Sequence, residues 1–100
     1  MDKYTVKISP QAYDDLDQIF EYIASELQAP ETALSLIDLI EEEVLSLDEM
    51  PQRGAERKVG IYANRGYRQL FIKNFTVVYR IQENTKTVIV ITVRYTPSEF

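Results

Sequence analysis

The order of sequence patterns predicts an α+β fold: an N-terminal strand, an antiparallel helical hairpin, and a three-stranded antiparallel meander, all in one sheet (β-α-α-β-β-β). Three observations lead there. Tyr4 to Ile8 alternates with a period of two. Two apolar stripes at three- and four-residue steps follow, separated at Pro30. Three β-rich runs close the chain. With 100 residues, 45% hydrophobic and 27% charged, residues 1–100 are expected to make a single domain.

In the first segment Tyr4, Val6 and Ile8 alternate with Thr5 and Lys7, the period of a half-buried strand. Ser9-Pro10 stops it and starts a helix, because Ser is a favoured N-cap and Pro suits a first helical position that needs no backbone N–H. Ala12, Leu16, Ile19, Phe20, Ile23 and Leu27 form its inward stripe. Asp14, Asp15, Asp17, Gln18 and Glu21 are read as its polar side. The short Gln28-Ala29 connection implies a hairpin to a second helix, started by Pro30 with Glu31 at its positive end. Its stripe is Ala33, Leu36, Ile37, Ile40, Val44 and Leu47. Glu41-Glu42-Glu43 points in three directions around a helix and reads as a solvated face, not a metal cluster.

Residues 51–66 are read as one long irregular stretch, with a short β piece at most at Val59 to Tyr62. The meander follows: Tyr67 to Lys73, Phe75 to Gln82 and Thr87 to Tyr95, with turns at Lys73-Asn74 and Glu83-Asn84. Strict alternation puts Phe75, Val77, Tyr79 and Ile81 on one face. In the last run it sets Ile89, Ile91, Val93 and Tyr95 against Val88, Val90, Thr92 and Arg94.

The net charge of −5 divides unevenly. Residues 1–50 carry two basic and thirteen acidic side chains, a balance of −11, whereas residues 51–100 carry nine and three, a balance of +6. The basic half reads either as the partner of the acidic helices or as a surface for a polyanion or acidic protein. Its candidate binding residues are Arg53, Arg57, Lys58, Arg65, Arg68 and Arg80. There is no Cys and no His, which removes disulfides, thiolate nucleophiles and imidazole bases, and no metal or organic cofactor is implied. The longest apolar run, Val88 to Ile91, is far too short to span a bilayer, and Met1-Asp2-Lys3 begins no secretory signal, so no membrane association and a cytoplasmic location are expected.

Taken together, Ala12-x-x-Asp15-Leu16-x-x-Ile19-x-x-Tyr22, Gly66-Tyr67-Arg68, Val77-Val78-Tyr79-Arg80-Ile81 and Val90-Ile91-x-Val93 resemble the ParE/RelE superfamily of toxins from type II toxin–antitoxin pairs, over essentially the whole chain. The helix pattern and the Gly-Tyr-Arg and Val-Val-Tyr-Arg pair are more similar to the ParE branch. That resemblance implies a growth-arresting toxin neutralised by a cognate antitoxin, of a kind linked to plasmid stabilisation, with a heterotetramer among the assemblies open to the pair. ParE-type members poison DNA gyrase, whereas RelE-type members cleave mRNA in the ribosome. Metal-free RNA cleavage needs a proton acceptor, cations for the phosphate and an acid for the leaving oxygen. By resemblance to the nuclease branch, Arg68, Arg94 and Tyr95 are the surviving candidates for that chemistry. The branch usually has a basic residue where Thr76 stands, and Leu70 occupies a second basic position. Gyrase poisoning is therefore the leading expectation, with RelE-like cleavage and a non-toxic binding module as alternatives.

Overall fold

The computed structural model describes residues 3–97. Strand β1 (Thr5–Ile8) leads into α1 (Pro10–Glu21), whose N-cap is Ser9: its hydroxyl accepts the Ala12 N–H at 3.1 Å. The helix then widens into a π turn, Tyr22–Glu26, before Gln28 takes a left-handed φ of 51° and α2 (Pro30–Leu45) runs back. Short 3-10 turns at Ser46–Asp48 and Pro51–Arg53 follow. The remaining strands are β2 (Ala55–Glu56), β3 (Tyr67–Ile72), β4 (Phe75–Gln82) and β5 (Thr87–Tyr95).

The α+β architecture is as expected, and the sheet contains one strand more than the meander and β1 together. Its order is β1-β5-β4-β3-β2. β1 pairs parallel to β5, and the other neighbours are antiparallel. The additional strand, β2, lies in the stretch read as irregular; Val59 to Tyr62 is turn, not strand. Two residues carry too little alternation to announce a strand, and pairing with β3 alone makes β2 visible.

The helical hairpin covers one face. Ala12, Leu16, Ile40, Val44, Leu47, Ile72, Val77, Tyr79, Val88, Val90 and Val93 form the core cluster. Three expectations about faces require correction. In β5 the inward set is Val88, Val90 and Val93, because Ile91 is an extra residue: Val78 pairs with Thr92 while Tyr79 pairs with Val90. A bulge of this kind switches which alternate residues face the core. Second, Asp15 is buried, not solvated, and meets the edge of β5. Third, Leu27 does not pack inward: the π turn carries it out to 56% exposure.

The bulge is held by the start of α1. Ser9 N–H donates to Val90 O at 3.0 Å and the Ser9 hydroxyl to Ile91 O at 2.9 Å. There β1 leaves the sheet, and α1 crosses the rest of the β5 edge. Asp15 takes the Val93 N–H at 3.1 Å and the Thr92 hydroxyl, so a side chain satisfies a backbone donor that a neighbouring strand would otherwise take.

Candidate functional site

Tyr79 organises the first part of the basic half. It has no solvent exposure, and its hydroxyl donates to Pro51 O at 2.7 Å while accepting the Gly54 N–H at 3.0 Å. Burial pushes its phenol pKa above the ordinary 10; the Gly54 hydrogen bond and the charges of Arg68 and Arg53 pull the other way and lose. Gly54 is required by space: a Cβ there would lie 2.3 Å from the Gln69 carbonyl oxygen and 2.6 Å from the Tyr79 hydroxyl. Arg68, opposite Tyr79 on β3, donates to Gly54 O at 2.6 Å. Arg53 reaches back to α2, with Nη2 at 2.9 Å from Glu43 Oε2 and 3.1 Å from Glu43 O. These two arginines thus tie the 51–54 turn to the sheet and the hairpin.

Arg57 is buried as well. Its Nη1 donates to Gln69 Oε1 at 2.7 Å and its Nε to Val59 O at 3.0 Å, so it braces the loop that follows instead of facing solvent. Lys58, Arg65 and Arg80 are exposed. Arg80 lies 5.9 Å from the centre of the Tyr67 ring, and Tyr67 packs edge-on against Tyr62 at 5.1 Å. Arg80 therefore meets an aromatic face.

At the other end of the sheet, Arg94 is half-buried and donates from Nε to Thr92 Oγ1 at 2.9 Å. The Thr92 hydroxyl in turn donates a hydrogen bond to Asp15, which gives a chain Arg94–Thr92–Asp15. Tyr95 packs edge-on against Phe75 at 5.7 Å and is half exposed. Both residues border an apolar groove of about 930 Å³. Its walls are Ile19, Tyr22 and Leu27 before the hairpin turn, Leu36 and Leu39 of α2, and Phe75 of β4.

The three candidate catalytic residues do not converge. Arg68 shares the Tyr79 face of the sheet, whereas Arg94 stands opposite Thr76, on the alternate set of β4. Thr76 itself is 1% exposed and its hydroxyl is bonded to that of Thr96 at 2.9 Å. Leu70 packs against the core cluster.

Residues 6–98 match the family model described as the ParE toxin of type II toxin–antitoxin systems, parDE. The chain belongs to the ParE toxin family. Among solved structures, this ParE chain is similar to the chromosomal ParDE system of P. aeruginosa: 25% identity, TM-score 0.77, covering 95% of this chain and 98% of that one. It shares the fold of the RelBE2 toxin–antitoxin complex of Mycobacterium tuberculosis, at 20% identity and TM-score 0.65 over 93% and 98% of the two chains. It also shares that of a RelE mutant of E. coli, at 11% and 0.61 over 92% and 82%. No curated protein sequence matches.

Of the groups that matter in this ParE chain, the sequence reading passed over Gly54, Thr92 and the buried role of Asp15. Asp15 stood in the helix motif that carried the resemblance, and its spacing of three from Ala12 placed it beside the apolar stripe. That was the available signal. Among the described residues no helix is long and apolar enough to cross a membrane.

Proposed function

We propose that this ParE-family chain acts as one toxin domain over residues 1–100, arrests growth by poisoning DNA gyrase, and is neutralised by a cognate antitoxin. The observation that carries this choice over mRNA cleavage is the dispersal of its cations. Arg68 is committed to the Gly54 carbonyl, Arg57 is buried on Gln69, and Arg94 belongs to the opposite set of sheet positions. A scissile phosphate needs its acid, base and cations within a few ångströms of one point, and this chain supplies no such convergence at those positions. The antitoxin is read as a segment with an amphipathic helix whose apolar side fills the groove between the hairpin and Phe75, a recurring way for a disordered chain to order on a folded one. Asp15 already occupies the Val93 N–H, so the late edge of β5 is less suited to an added strand.

The deciding experiment is parallel measurement of DNA supercoiling by purified gyrase and of translation on purified ribosomes. Inhibited supercoiling with intact ribosome-bound mRNA is expected. Supercoiling that continues at high toxin concentration while mRNA is cut would overturn the reading in favour of the RelE-like alternative.

A further inference from the structure

The loop between β2 and β3, residues 57–66, is closed by its own backbone and by a buried cation. Arg57 N–H donates to Tyr67 O at 2.8 Å, and Asn64 N–H returns to Arg57 O at 3.0 Å. Inside that ring Ala63 N–H bonds Gly60 O at 3.1 Å, while the Arg57 guanidinium joins Val59 O to the Gln69 side chain. Gly60, Asn64 and Gly66 take φ values of 76°, 56° and 83°, which lets the chain double back in so short a span. What this scaffold holds out is apolar: Val59 is 61% and Ile61 66% exposed, on either side of Gly60. Lys58 and Arg65 flank them in solvent, and positions 57–67 contain no acidic residue.

Single exposed aliphatic side chains are ordinary on protein surfaces. A pair of β-branched ones on a braced loop differs, because much of the ordering cost of docking has been met before a partner arrives. Aliphatic tips offer a nucleic acid neither a stacking face nor a base-edge hydrogen bond, but they suit a protein cleft. We propose that this loop is the target-contact element of the toxin, with Val59 and Ile61 entering an apolar cleft of a protein target whose acidic rim faces Lys58 and Arg65. The proposal rests on the toxin reading above and names the surface that performs it.

Position gives it a consequence. The loop joins β3 at Tyr67, and the groove borders the turn after Ile72, so the six residues of β3 separate the two sites by roughly 20 Å. A helix that lies in the groove alone leaves the loop uncovered.

The test uses the full chain with Val59→Ser and Ile61→Ser together, and separately with Lys58→Glu and Arg65→Glu. Growth arrest, binding to purified DNA gyrase and thermal unfolding are measured in each. Both variants are expected to melt within about 2 °C of the parent, since all four side chains are exposed. The aliphatic pair should lose affinity about tenfold or more, and the charge pair should lose it most at low salt. Unchanged arrest and binding by the folded Val59/Ile61 variant overturn the proposal. If the parent arrests growth without binding gyrase, the gyrase reading fails, and loss of arrest in that variant still upholds the loop. Binding of a fluorescent single-stranded oligonucleotide, abolished by the charge pair and untouched by the aliphatic pair, would reassign the loop to nucleic acid. A parent chain that neither arrests growth nor binds gyrase overturns both readings.

Discussion

Tyr79 shows how one side chain can hold a region that sequence alone would assign to function. Its hydroxyl serves two backbone groups of the 51–54 turn, and that turn is where Arg68 and Arg53 are anchored. Tyr79→Phe leaves Pro51 O and the Gly54 N–H without their partner and is expected to cost about 1–3 kcal/mol in urea unfolding. Burial raises its pKa, so the folded state prefers the protonated phenol. The stabilisation is therefore complete below the unfolded value near 10 and is lost as pH rises through the folded value. Unfolding curves for parent and variant at neutral pH and above pH 10 check this: the parent should lose more stability across that window, and parallel losses would remove Tyr79 as the cause. A Tyr in a strand pattern announces packing, and so its role was legible; its two carbonyl and amide partners lie 25 to 28 residues away and were not.

Among the elements, the strand–helix junction at Ser9 is the one whose sequence and structure agree most closely. Ser9-Pro10 predicted a helix start, and the same hydroxyl that caps α1 also donates to the bulge carbonyl Ile91 O. Ser9→Ala should destabilise the protein by about 1–2 kcal/mol, measured by denaturant unfolding, with Ser9→Thr recovering most of the loss. The two helices and the strands β1, β3, β4 and β5 were legible because each repeats a period long enough to read. The bulge at Ile91 was not, since Val88 to Ile91 is apolar at every position and offers no polar residue to mark which side is in. That one inserted residue reversed the predicted faces of half of β5. The candidate site suffered for a related reason. Basic residues close in sequence, such as Arg57 and Lys58, went to opposite environments once the Gln69 side chain offered Arg57 a partner.

Over the molecule as a whole, the charge halves map onto layers: an acidic hairpin lies on a sheet whose loops carry most of the basic groups. Arg53 to Glu43 is an ion pair that joins the halves, while Lys58, Arg65 and Arg80 remain on the exterior. The groove sits where the hairpin ends, and its exposed rim residues allow the antitoxin reading to be tested. Tyr22→Glu with Leu27→Lys should weaken neutralisation about tenfold or more, scored as growth arrest that co-produced antitoxin no longer relieves. Full relief by the antitoxin would remove the groove from its binding surface. The seating of Asp15 also matters for the open edge of β5. Thr87 to Tyr95 is the longest strand, free of Pro, Gly and acidic residues, the composition most prone to pairing edge to edge with copies of itself. β1 shields its first half, and a carboxylate laid against its second half would have to be torn away and left unpaired before another chain could add there. Asp15 thus closes to strand addition the part of that edge that β1 leaves open.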